Sequence, residues 1–162
     1  NYQGGIVAYI FQSGDPGYVS GETHGLIAAP FDQGVAEWGC YGTGIGSTST
    51  AIGTGNQNTM NIIAGCATSN IAARLCSDLV LGGFSDWYLP SIDELHQVYQ
   101  NIKTISSFVE PADYWSSSEA GPVNFAYFAW RERTGSLDPD PNNWPAPLDK
   151  IFLSSVRAVR SF

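Results

Sequence analysis

The hydrophobic pattern along this chain changes character twice. Gly4 to Phe11 carries a short apolar run through Ile6, Val7, Tyr9 and Ile10 that reads as a strand, and Gly25 to Pro30 reads as a second strand ended by its proline. Between residues 39 and 56 the chain is dense in Gly, Ser and Thr and reads as loop. Helical periodicity then takes over. Asn58 to Gly65 is a short predicted helix. Asn70 to Leu81 is a longer one, with Ile71, Leu75 and Leu79 beside Ala72, Cys76 and Val80 on one face, Asn70 as N-cap and Gly82-Gly83 as the stop. The clearest helix follows Pro90, where Ser91 and Glu94 have the spacing of a capping box. Ile92, Leu95, Val98, Tyr99 and Ile102 form its apolar stripe. Strands return at Tyr114 to Ser118, Asn124 to Arg131 and Ser155 to Phe162. Aromatics stand on both faces of the middle one, so it is predicted to be central or to carry a binding face. Strands at both ends around a helical middle predict an α+β fold with long loops.

A chain of 162 residues fits one domain, residues 1–162. Charged residues are only 14%, below the usual quarter, and Gly, Ser, Thr and Asn fill the gap, a balance typical of loop-rich extracellular domains. The net charge of −8 disfavours nucleic acid, anionic membrane and polyanionic glycans as bulk electrostatic partners. No stretch approaches the ~20 apolar residues of a membrane span. The chain begins at Asn1 with no leader pattern, so a processed or trimmed polypeptide is expected.

Three blocks carry a family resemblance: Trp87-Tyr88-Leu89-Pro90-Ser91-Ile92-Asp93-Glu94-Leu95, Tyr114-Trp115-Ser116-Ser117-Ser118-Glu119, and Val156-Arg157-Ala158-Val159-Arg160-Ser161-Phe162. Gly4-Gly5-Ile6-Val7, His24-Gly25-Leu26-Ile27-Ala28-Ala29 and Ala51-Ile52-Gly53-Thr54-Gly55 extend it over almost the whole chain. Together they resemble the bacterial domain found at the C-terminus of the Legionella collagen-like adhesin. The resemblance implies a C-type-lectin-like fold of mixed or antiparallel strands, its terminal strands close together, with two to three helices packed on the sheet and a loop-rich half carrying the ligand surface. It further implies a secreted or cell-surface adhesin domain that binds a surface glycan or protein without catalysis. The alternative it implies is a structural module that caps and trimerises a fibrous, collagen-like surface protein. That relative binds sulfated polyanions, so the acidity of this chain departs from it. The calcium-and-sugar signature of animal C-type lectins, Glu-Pro-Asn, is matched only by Glu110-Pro111-Ala112, which lacks the amide ligand.

Catalytic patterns are weak. Ser116, Ser117 and Ser118 lack a nucleophile elbow, His96 sits at the edge of a helix's apolar face, and His24 reads as a turn or edge residue. Asp93 and Glu94 are adjacent on a helix and diverge, so they cannot flank one bond. Gly42-Thr43-Gly44-Ile45-Gly46 has half a nucleotide fingerprint without its strand–helix context. Trp87, Tyr88, Tyr114 and Trp115 read as core. The expected ligand surface is the proline-rich excursion that follows the aromatic strand: Asp138, Asp140, Asn142, Asn143 and Trp144, with Trp130, Arg131 and Arg133 beside it. Asp138, Asp140 and Asn142 alternate like the start of a calcium loop, but Asn143 stands in place of its glycine and the glutamate that closes such a loop is missing. No cofactor is expected, with calcium at this loop as the alternative. Structural roles are expected for Ser91 and Glu94, for a Cys40–Cys66 bridge with Cys76 buried and reduced, and for one of Arg157 and Arg160, paired with Glu94, Asp86 or Glu119.

Overall fold

The C-terminal run that reads as a single strand is two strands in the structure, and the bend between them joins two sheets. The structure, a computed structural model, describes residues 2–121, 126–135 and 145–162. Its strands are β1 (Ile6–Ile10), β2 (Gly25–Ala28), β3 (Gly34–Ala36), β4 (Asp113–Glu119), β5 (Phe128–Arg133), β6 (Ala146–Asp149), β7 (Ser154–Val156) and β8 (Val159–Ser161). Its helices are α1 (Gly55–Gly65), α2 (Ala72–Ser77) and α3 (Ile92–Ile102). One sheet has the order β1-β2-β8 and the other β3-β7-β4-β5-β6, so β7 and β8 lie in different sheets two residues apart. All pairings are antiparallel except β4 with β7. This is the expected mixed α+β architecture.

At the bend, Ala158 accepts from Ala29 N–H and Val156 accepts from Gln33 N–H, so the backbone turns without losing its bonds. Arg157 sits inside the bend and is fully buried. The terminal strands meet as expected: β2 lies between β1 and β8, and the Tyr2 and Phe162 rings pack edge-to-face at 5.3 Å.

Helix α3 forms as its sequence dictates. Ser91 accepts from Glu94 N–H, and the Glu94 side chain returns a bond to Ser91 N–H. Its stripe of Ile92, Leu95, Val98, Tyr99 and Ile102 is buried against β1, β4 and β5. Helix α2 is shorter than predicted. Ile71, not Asn70, is its N-cap, Asn70 takes a left-handed φ of 57°, and Val80 at the far end of the predicted stripe is 72% exposed. The periodicity thus ran past the helix end at Ser77, although Leu79 and Leu81 still pack on the core from beyond it. Helix α1 starts three residues earlier than predicted, at Gly55. Strand β5 starts at Phe128, with Ala126 and Tyr127 in a turn, while Asn124 and Phe125 lie outside the described residues.

Two cores result. Trp38, Ile62, Ile71, Cys76, Trp87, Leu89, Trp115 and Val156 share one, and Leu26, Ala28, Tyr88, Val98, Ile102 and Val159 the other. Cys40 and Cys66 are bridged and Cys76 is a free buried thiol whose ionisation burial strongly opposes. Among the described residues no helix is long and apolar enough to cross a membrane.

Candidate ligand-binding surface

The glycine-rich loop is held by carboxylates from inside the protein. Glu119, at the end of β4, accepts from Ile45 N–H at 2.8 Å and from Gly46 N–H at 2.7 Å. Lys150 Nζ completes the anchor at 2.7 Å from Glu119, lies 4.2 Å from the centre of the Trp38 ring and donates to the Thr43 carbonyl. Burial lowers the Lys150 pKa, and the bond to Glu119 opposes that fall. The backbone N–H pair that half-resembles a phosphate cradle therefore already holds an anion belonging to this chain.

A second clamp closes the loop's other end. Glu94 is fully buried and accepts from Gly53 N–H at 2.8 Å and Ser91 N–H at 2.9 Å. Burial pushes its carboxyl up to about 7, while the backbone donors of Ser91, Gly53 and Gly55 pull the other way. Gly55 is required here, because a Cβ on it would stand 2.2 Å from Glu94 Oε2. With the disulfide at residue 40, these anchors fix a segment that has no regular structure of its own.

The three serines of β4 are committed in the same way. Ser116 Oγ donates to the Trp130 carbonyl, Ser118 Oγ to the Ser49 carbonyl, and Ser117 Oγ accepts from Asn58. His96 pairs with Glu132 at 3.2 Å. His24 bonds to the Phe162 carbonyl and to Glu22, and both contacts raise its pKa. Asp93 is half-buried and Glu94 fully so, in keeping with their predicted divergence.

Both C-terminal arginines are buried, where the sequence pointed to one. Arg160 makes a two-point pair with Asp86, Nε–Oδ1 2.7 Å and Nη2–Oδ2 2.8 Å, also bonds Gln3, and stacks on Phe84. Arg157 pairs with Asp32, a partner absent from the predicted set, because the bend turns its side chain inward as well.

The predicted ligand residues separate into three groups. Trp130 is half-buried and lines an open concavity of about 280 Å³ with Phe128, Ala120, Gly121 and Pro147. Phe128 and Trp130 share a face of β5 by the two-residue period, and Pro147 on edge strand β6 stands directly opposite Trp130. None of the five described residues that line it is charged. Arg131 and Arg133 point the other way: both pair with Asp113, Arg133 at 3.6 Å, and Arg131 is almost fully buried. Strand alternation thus splits the expected cluster of Trp130 with the two arginines. Asp138, Asp140, Asn142, Asn143 and Trp144, with the calcium alternative they carry, lie outside the described residues. Among the described residues no group of three His, Cys, Asp or Glu side chains could hold a metal ion.

Two more aromatics meet at the same end of β5: Tyr127, which the sequence counted among the aromatics on the two faces of that strand, and Tyr41, which sequence reasoning passed over. Tyr41 and Tyr127 are 49% and 44% exposed and pack edge-to-face at 5.2 Å. Gly42 N–H donates to the Ala126 carbonyl and Lys150 N–H to the Tyr127 carbonyl, so both tyrosines sit on fixed backbone. Tyr41 gave no sequence signal beyond an aromatic at a loop position. Other hollows are mixed in character, one bordered by His24, Phe11 and Phe162 and another by Glu37, Asn70 and Val35.

No protein-family model matches this chain, and no curated protein sequence matches it significantly.

Proposed function

We propose that this chain is a non-catalytic recognition domain, displayed at the cell surface or secreted, that binds a surface glycan or protein through the face carrying Trp130. On this reading it is a C-type-lectin-like relative of the collagen-like adhesin domain. The observation that carries the proposal is the apolar concavity. An aromatic, a second aromatic and a proline surround an open hollow at a sheet edge, where exposed apolar surface otherwise costs solubility. The buried polar groups that might have formed a catalytic set are instead tied to one another: Glu94 to the loop, Glu119 to Lys150, the serines to backbone and to Asn58. A scaffold whose buried carboxylates and β4 serines are tied to one another, with an apolar hollow at its edge, suits binding by preorganisation.

A combined array of surface glycans and surface proteins, probed with the chain and with Trp130→Ala, tests this. The expected result is a bound ligand lost in the variant, with thermal stability retained. Binding that survives the substitution removes this face from the site.

The assembly reading, a trimerisation module for a fibrous protein, has its own observation. Val35 on edge strand β3 is 65% exposed and Leu153, in the turn before β7, is 69% exposed, with Ile151 and Phe152 also half-exposed. Sedimentation at micromolar concentration decides it: a trimer lost on Leu153→Glu supports assembly, and a monomer excludes it.

A further inference from the structure

We infer that the ligand is a neutral saccharide, held against the exposed Tyr41–Tyr127 pair and the Trp130 concavity, and that sulfated or otherwise polyanionic chains are refused. The inference rests on the recognition reading above and narrows it.

The first argument is a census of positive charge. The chain has seven Lys and Arg residues: Arg74, Lys103, Arg131, Arg133, Lys150, Arg157 and Arg160. Five pair with carboxylates: Arg131 and Arg133 with Asp113, Lys150 with Glu119, Arg157 with Asp32 and Arg160 with Asp86. Arg74 donates to the carbonyls of Ile63, Cys66 and Thr68, tying the end of α1 to α2. That leaves Lys103, bonded to Gln100 and lying over the Tyr99 ring on α3. A polyanion is held by several cations that exchange its counterions for protein charge. Here the cations are internal fasteners, and the chain as a whole carries a net charge of −8. Electrostatics would repel such a ligand rather than steer it in.

The second argument is the aromatic surface itself. A pyranose ring presents C–H bonds with partial positive charge on its faces and hydroxyls around its rim. The C–H faces pack on the negative π-face of Tyr or Trp, and the rim needs hydrogen-bond partners. Tyr41 and Tyr127 are each close to half exposed, and each ring carries a phenolic hydroxyl able to donate and accept. Rings on fixed backbone lose little entropy on binding, which favours tyrosine in recognition surfaces generally. The concavity bordered by Phe128, Trp130 and Pro147, about 280 Å³, is below the range typical of drug-sized pockets and accommodates one ring rather than a chain segment. The two features are neighbours along the chain, Tyr127 immediately preceding β5 and Phe128 and Trp130 lying within it. A protein partner of the usual kind would draw on arginine as well as aromatics for its anchors, and no arginine here stands outside an internal pairing or backbone tie.

The test is affinity electrophoresis of the intact chain through gels containing dextran, mannan or galactan, with heparin as the polyanionic probe. Variants are Tyr41→Ala, Tyr127→Ala and Trp130→Ala, with Tyr18→Ala, an exposed tyrosine elsewhere, as control. Retardation by at least one neutral polysaccharide is expected, unchanged between low and high salt. Tyr127→Ala and Tyr41→Ala should weaken it at least tenfold with unchanged melting temperature, and Tyr18→Ala should not. Retention by heparin that fades with salt overturns the inference, as does neutral-polysaccharide binding indifferent to Tyr41 and Tyr127. Failure of every neutral polysaccharide also overturns it. If a surface protein is bound in that case, the recognition reading survives; if neither class is bound, both fall.

Discussion

Replacing Arg157 with methionine should be among the most damaging single changes in this domain. The guanidinium is fully buried at the bend between β7 and β8. Its Nε lies 2.7 Å and its Nη2 2.6 Å from Asp32 Oδ1, and it donates to the carbonyls of Ala29 and Ser107 while stacking 4.3 Å from the Phe108 ring centre. Methionine keeps much of the volume and removes all four polar contacts. Asp32, whose side chain is only 18% exposed, would be left with the Tyr114 hydroxyl as its remaining side-chain donor. Breaking a buried pair from one side costs about 3–5 kcal/mol, because the surviving charge is uncompensated. Urea unfolding followed by tryptophan fluorescence measures it. Asp32→Asn in the same background should recover about 2 kcal/mol of that loss, the sign of direct coupling. A loss under about 1 kcal/mol for Arg157→Met, or strict additivity of the two changes, would refute the pairing as a stabilising unit. Arg160→Met is the internal comparison. Its partner Asp86 is 56% exposed and rehydrates when abandoned, so about 1–2 kcal/mol is expected.

Three further outcomes follow from the loop anchors. Glu94 is raised by burial to about 7 against an unfolded value near 4.5, so its contribution is complete below pH ~4.5 and is lost as pH rises through about 7. The urea midpoint should fall between pH 5 and pH 8, and Glu94→Gln should flatten that slope; His24, also raised, acts in the same direction and sets the residual. Gly55→Ala should cost about 3 kcal/mol by driving a Cβ into the Glu94 carboxylate, and a neutral result in the same urea assay would contradict the clamp. Mass spectrometry of the unreduced chain should find a Cys40–Cys66 bridge spanning 26 positions and one unmodified thiol at Cys76, and reduction should lower stability by roughly 3 kcal/mol.

Local chemistry was legible in the sequence and long-range pairing was not. The capping box of α3 needs residues three apart, and Ser91 with Glu94 announced it. The second role of Glu94, reaching 41 positions back to Gly53, leaves no such trace. Arg157 and Asp32 are 125 positions apart and Lys150 and Glu119 are 31 apart, so neither pair could be read from spacing. Period-two reasoning on Ser155–Phe162 assumed one sheet; the bend at Arg157 broke the alternation and buried both arginines. The same reasoning was available for β5, where it puts Trp130 opposite in sense to Arg131 and Arg133, as the structure does. Tyr41 looked like an ordinary loop residue, because the Glu119–Lys150 anchor that makes its loop rigid is assembled from the far end of the chain.

The central claim is that the β5 face is a binding surface, and the direct measurement is the affinity of Trp130→Ala beside its unfolding free energy, made on the same preparation with whichever array ligand the intact chain retains. The account predicts binding at least tenfold weaker, about 1.4 kcal/mol or more, with stability changed by less than that amount. Undiminished affinity, or a loss of affinity matched by a comparable loss of stability, would show that Trp130 packs the sheet edge and meets no ligand.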